Sequence, residues 1–303
     1  MITSSSRPHR TRRRLGRTLS RARWAEYREL LGMALGQGYA VLSLEEWLAD
    51  PATAEDRPRL LVRHDVDQHP ASALRMAAIE REFGVRSTWY FRWRTANARV
   101  IEAIAAEGHA VGLHYETLTR ELLRQGLDTT GTRERHNGSD AAATQDLMSR
   151  AQEMIPHARE LLRAELKTFA GRFGQPSKPV RSACPHGDTR VPGVHNGVLL
   201  LGEEWSEYGL EWDANAAMRE HALDVWLTDR STAEGGWKDG MDPLDLLVER
   251  RTPILAVVHP NNWVSGAALW WDRALPGALH TGDDEPALPA GGPSQPRRQT
   301  PQT

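Results

Sequence analysis

The sequence predicts an α/β fold in which parallel strands lie beneath a layer of helices. Aliphatic runs alternate with helical stretches between Leu60 and Leu113, and strands joined through intervening helices run parallel. Unusual polar residues follow these runs: Asp65 and Asp67 after LLV, His114 after AVGL, His186 after VRSACP and His259 after ILAVV. The 303 residues are 40% apolar, which is enough material for one large core.

Composition narrows the function classes. A net charge of -2 makes no case for nucleic acid or an anionic membrane as partner. No apolar run approaches the roughly 18 residues of a membrane span. The Arg-rich N-terminal stretch lacks a signal-like apolar segment, so a cytoplasmic location is expected. Cys184 is the single cysteine; an internal disulfide is excluded and a metal would be held by His, Asp or Glu. Eleven tryptophans against four phenylalanines offer faces that can stack on sugar rings, although most are expected to pack.

Taken in order, residues 1–23 are polar and basic and are expected to form a disordered tail. Trp24, Tyr27, Leu30, Leu31, Ala34 and Leu35 recur at three and four, which predicts a helix ended by Gly36 and Gly38. Residues 39–42 read as a strand, and Ser43 with Glu46 as a capping box opening a short helix over 44–48. Leu60, Leu61 and Val62 begin a strand in which alternation sets Asp65 and Asp67 on one side, His64 and Val66 on the other. Desolvated carboxylates need a cation or hydrogen bonds; a purely structural account has Asp65 capping a turn and Asp67 pairing with Arg63. Helices are predicted over 71–83 and 96–107, strands over 85–91 and 110–113. Residues 129–143 read as a loop, 145–173 as a long amphipathic helix broken at Pro156, and 179–184 as a strand. The segments 197–201, 210–212 and 223–227 are apolar but of undetermined type. A helix over 243–250, a final strand over 253–258 and a disordered tail over 273–303 complete a single domain spanning 24–272.

The C-terminal edge of parallel strands is where ligands bind in barrels and open sheets, so these four polar segments are expected to converge. A His/carboxylate set without cysteine suits zinc or another divalent transition metal with one position open. Such an ion lowers the pKa of water toward about 7 and polarises carbonyls, while a free carboxylate and a histidine can move protons. Amide or ester hydrolysis is the expected chemistry. A retaining glycosidase would need carboxyls about 5 Å apart across a sugar, which acids at i and i+2 of one strand do not provide.

LLVRHDVDQHP, GVRSTWYF and EGHAVGLHYETL resemble the first two motifs and second strand of the polysaccharide deacetylase family, also called the NodB homology domain or carbohydrate esterase family 4. The likeness covers about Leu60 to Leu118 and is looser beyond. It implies a distorted (β/α) barrel of about seven strands, and metal-dependent removal of an acyl group from an N- or O-acylated sugar. By that resemblance Asp65 is the general base, Asp67 and His114 are metal ligands, and His259, in an aliphatic-x-His motif, is the general acid. Arg181, Pro185 and Gly187 match the third motif, whose arginine orients the base and whose backbone, near His186 here, binds the oxyanion. Asp229 and Trp237 correspond to a fourth motif; Tyr115, Glu116, Trp237 and Trp263 are expected to meet substrate. Val66 separates acids that are adjacent in the usual motif, and Leu118 stands where a second metal histidine is usual. The third ligand is then Glu116, His186 or His69, with His186 preferred. The expected function is deacetylation of an N-acetylated amino sugar or sugar-bearing precursor, with an inactive, carbohydrate-binding barrel as the alternative.

Overall fold

The structure, a computed structural model, describes residues 21–49, 57–127, 141–221, 223–231 and 234–265, without the side chains of 141–144. Almost all of both expected tails and of the 129–143 loop lies outside them. Eight strands form one parallel sheet: β1 (Ala40–Leu42), β2 (Arg59–Val66), β3 (Thr88–Phe91), β4 (Ala110–Tyr115), β5 (Ser182–Pro185), β6 (Trp212–Asp213), β7 (Val225–Thr228) and β8 (Ile254–Val258). Seven run in the order β6-β5-β4-β3-β2-β8-β7, curled into a half-barrel, while β1 pairs with the first residues of β2. This is the distorted (β/α) barrel expected. The helices are α1 (Trp24–Gly36), α2 (Leu44–Ala49), α3 (Pro70–Phe83), α4 (Ala98–Ala106), α5 (Thr117–Arg124), α6 (Ala141–Phe173), α7 (Ala214–Glu220) and α8 (Pro243–Val248).

Strand alternation creates two cores. Leu60, Val62 and Val66 of β2 face outward with Trp89, Leu113, Ile254 and Val258, and pack under the helices. Leu61 faces inward with Tyr90, Cys184, Leu255 and Val257, and Leu44 and Trp47 of α2 close the barrel floor against them. Each aliphatic side chain so buried stabilises by about 1.5–3 kcal/mol. Gly112 marks the tightest point inside: a Cβ there would stand 2.4 Å from the Ser182 carbonyl oxygen and 2.6 Å from the Tyr90 ring, so no larger residue fits.

The elements follow the sequence pattern with informative exceptions. Ser43 and Glu46 form the expected reciprocal cap, at 3.0 and 3.1 Å. α6 runs unbroken through Pro156; Leu147, Ala151, Ala158, Leu162, Leu166 and Phe169 form one buried stripe on both sides of the proline, and that packing outweighs one lost backbone bond. The three undetermined segments contain a 3-10 turn (Asn196–Leu199), β6 and β7. β2 extends past Val62 to Val66 because β3 pairs with Arg63 through Val66, which puts Asp65 inside the strand. Among the described residues no helix is long and apolar enough to cross a membrane.

Candidate metal centre and acid–base site

Inward-facing positions at the C-terminal ends of the strands collect the polar residues on one mouth. Arg63 and Asp65, two apart on β2, share the inner face, and the Arg63 guanidinium grips the Asp65 carboxylate with Nε to Oδ1 at 2.8 Å and Nη2 to Oδ2 at 2.7 Å. Arg63 is itself held by the Asn215 Oδ1 at 2.6 Å and the Cys184 sulfur at 2.6 Å. Burial raises the carboxyl pKa, but the Arg63 charge outweighs it, with His114 and His259 adding to it, and holds Asp65 at about 2. Asp65 is therefore an ionised, rigidly aimed carboxylate.

Asp67 immediately follows β2. Its Oδ1 is 3.5 Å from the His114 Nε2 and 3.3 Å from the His186 Nε2, and ligand atoms of the three residues lie within 4.8 Å of one another. The His114 Nδ1 is 3.0 Å from the Cys184 carbonyl. A carbonyl only accepts, so Nδ1 carries the proton and Nε2 presents a lone pair. Burial pushes His114 down to about 4 against the pull of Asp65 and Asp67, so the ring is neutral. The lone pair thus faces carboxylate oxygens of Asp67 and, at 3.7 Å, Asp65. Asp67 Oδ1 is buried with no hydrogen-bond partner. Acceptors turned toward one another in a desolvated site call for a cation between them. A tetrahedral ion with bonds of about 2.0–2.1 Å has edges of about 3.3–3.4 Å, which these separations match. The residues present fit a divalent metal.

The surroundings fix the ligands. The His114 bond to a backbone carbonyl is the usual partner of a metal-binding imidazole. The His186 backbone is clamped by an N–H bond to the Tyr115 carbonyl at 2.8 Å and by the buried Asn196, whose Nδ2 donates to the His186 carbonyl at 2.7 Å. The His186 Nδ1 faces the Glu116 carboxylate at 4.0 Å, and Glu116 is ion-paired with Arg92 from the end of β3.

Across the mouth, His259 stands 4.0 Å from the other Asp67 oxygen. Its Nδ1 meets the Asp229 Oδ1 at 2.7 Å, while Asp229 Oδ2 accepts the His259 backbone N–H at 2.9 Å and the Trp263 indole N–H at 2.7 Å. Burial lowers the imidazole pKa, but the bond and charge of Asp229 raise it more, to about 9. His259 is protonated at neutral pH and can donate from Nε2.

Asp65, Asp67, His114, His186 and His259 therefore meet at one place. Other expected residues do not. The arginine beside Asp65 is Arg63; Arg181 precedes β5, at the far end of that strand from His186, and its exposed side chain pairs with Glu211 at 3.3 Å. Asp65, rather than Asp67, is the partner of Arg63. The His186 amide is engaged by Tyr115 and is not free to meet an oxyanion. Tyr115 points outward from β4, fully buried, and its hydroxyl donates to Asp213 at 2.8 Å. Trp237 and Trp263 are buried and pack edge to face, with centroids 6.0 Å apart. All three aromatics lie behind the mouth, and the two tryptophans border a separate cavity together with Arg23 and Met241. Glu116 does lie at the mouth, beside His186; His69 forms the left-handed cap of α3, with φ 54°. Arg63, Asn215 and Asn196 were not foreseen as site residues, although the i, i+2 spacing of Arg63 and Asp65 was a visible signal.

No family model and no curated protein matches the sequence. Among solved structures, the chain is similar to wild-type BA3943, a CE4 family pseudoenzyme from Bacillus anthracis, at 12% identity over 73% of this chain and 60% of that one, with a TM-score of 0.31. A mutant of that pseudoenzyme with restored enzymatic activity matches at 14% identity over 73% of this chain and 62% of that one, with a TM-score of 0.33. A family 4 carbohydrate esterase from Streptomyces lividans in complex with acetate matches at 17% identity over 72% of this chain and 88% of that one, with a TM-score of 0.29. The chain thus aligns with less than two thirds of the length of the two BA3943 structures.

Proposed function

We propose that the chain is a metal-dependent hydrolase that removes an acyl group, acetyl in the simplest case, from an N-acylated amino sugar or a sugar-bearing precursor. The observation that carries this reading is the His114 Nε2 lone pair aimed at the orphaned Asp67 oxygen, with an ionised carboxylate on one side and a protonated imidazole on the other. Asp67, His114 and His186 would hold the ion, zinc being the best match to two nitrogens and one oxygen. When bound, such an ion acidifies water and polarises the acyl carbonyl.

The chain's own residues divide the proton traffic. Asp65 accepts the proton of the attacking water, and Arg63 keeps its carboxylate aligned throughout. As the bond between water oxygen and acyl carbon forms and the carbon–nitrogen bond breaks, the leaving nitrogen takes the Nε2 proton of His259. The products are the carboxylic acid and the free amine. Asp229 steadies the imidazolium before transfer and the correct tautomer after it.

Two substitutions test this. Asp67→Ala should abolish stoichiometric zinc binding, whereas Asp65→Asn should retain zinc and lower acetate release from an N-acetylated amino sugar by about 10²–10⁴-fold. Undiminished turnover in Asp65→Asn would reject the assigned base. Wild-type protein that takes up no divalent metal and releases no acetate would favour the sugar-binding alternative.

A further inference from the structure

The charges around the metal-ligand trio are matched in pairs, with one exception. Glu116 is ion-paired with Arg92, and Asp188 with Arg190 at 2.6 Å. Arg94, on the 3-10 turn Trp93–Thr95 that follows β3, is exposed, and its Nη2 donates to the backbone carbonyl of Asp67 at 2.9 Å. The next residue, Thr95, donates to the Val66 carbonyl at 2.6 Å, so two consecutive side chains fasten this turn to the end of β2. The strongest charges felt by Arg94 are those of Arg92, Glu116, Asp67 and Arg190. Both acids among them are engaged, Glu116 by Arg92 and Asp67 by the histidines, and among the described residues Arg94 has no carboxylate partner. A divalent ion held by Asp67 keeps one unbalanced positive charge, and Arg94 adds a second.

We infer that Arg94 binds an anionic group, a carboxylate or a phosphate, carried by the acylated substrate. This rests on the hydrolase reading above and narrows its substrate class: a neutral acylated sugar would leave the rim of the occupied site positive, whereas a substrate bearing one anionic substituent completes the pairing. An exposed guanidinium anchored by one nitrogen keeps other N–H groups in a planar fork suited to either anion. The anchor to the Asp67 carbonyl fixes that fork relative to the metal ligand, so the anion also sets the register of the acyl group against Asp65.

The test is calorimetric titration of wild-type and Arg94→Gln protein, with and without zinc, using N-acetylglucosamine, its 6-phosphate and N-acetylmuramic acid. The expected result with zinc is that at least one anionic sugar binds about tenfold more tightly than the neutral one. In Arg94→Gln that preference should collapse to less than about twofold, while zinc is still bound stoichiometrically. The two anionic probes tell phosphate from carboxylate. Equal binding of neutral and anionic sugars, or a preference that survives Arg94→Gln, overturns the inference. Zinc content and acetate release are read in parallel. Turnover without an Arg94-dependent preference removes the anion site alone, and an Arg94-dependent preference without zinc uptake or turnover removes the hydrolase reading alone.

Discussion

Two clusters of the same residue types flank β2. Outside the barrel, Glu80 of α3 accepts from the Tyr27 hydroxyl at 2.5 Å, the Ser87 hydroxyl at 2.7 Å and the His64 Nε2 at 2.7 Å. His64 stacks on Trp89 with centroids 3.8 Å apart, and the Nδ1 of His109 accepts the Ser87 backbone N–H at 3.2 Å. Inside, Asp67 meets His114 and His186 with its Oδ1 unbonded. Both carboxyls are held below the ordinary range: burial raises each, and histidines outweigh it, chiefly His64 for Glu80 and His186 with His114 for Asp67. Neither residue composition nor pKa separates the two clusters. Hydrogen bonding does: the outer carboxylate is surrounded by three donors, whereas the inner one has the His186 Nε2 at 3.3 Å and faces the His114 lone pair.

The comparison can be broken most forcefully from outside. Glu80→Ala strands three buried donors and should lower the unfolding free energy by about 3–5 kcal/mol in chemical denaturation, while the folded fraction still binds zinc stoichiometrically. A loss below about 1 kcal/mol would remove the structural role assigned to this network.

Asp229→Asn sharpens the inner cluster. His259, held at about 9 by Asp229 against the effect of burial, should stay protonated as pH rises and give the rate an alkaline limb near that value. In the variant the limb should move to or below the ordinary histidine range of about 6.5. The folded pKa lies above the unfolded one, so the associated stability is present below pH of about 6.5 and is lost as pH rises through about 9. An unmoved limb in a pH–rate profile would exclude His259 as the acid.

The smallest effect lies at the inner carboxylate. Asp67→Asn removes a charge that the neighbouring histidines favour but gains an amide able to donate to the His114 lone pair, so the chelated, metal-free protein should lose no more than about 1 kcal/mol in thermal melts. A loss as large as that of Glu80→Ala would make the inner cluster a structural network like the outer one.

Much of the fold was legible because its signals are local. Alternation along β2 separates Leu61, Arg63 and Asp65 from Leu60, Val62 and His64, and the order of strands and helices required a parallel sheet. The convergence of Asp65, Asp67, His114, His186 and His259 followed from one rule about strand ends. What stayed hidden depended on contacts across the barrel. Arg181 matched a motif position, yet it precedes β5, at the end of that strand away from the mouth, and Arg63 is the arginine beside Asp65. Trp237 and Trp263 looked like sugar platforms until their burial behind Asp229 was visible. Pro156 predicted a break that a continuous buried stripe overrides.

The placement of Arg63 has a consequence for how such a site can diversify. Asp65 and Arg63 belong to the same strand, two residues apart, in the middle of the sheet, with β3 and β8 on either side. Their alignment does not depend on any connecting loop. Segments after β3, β4 and β5 can change length and charge, altering what is admitted, while the Asp65 carboxylate remains aimed where it was.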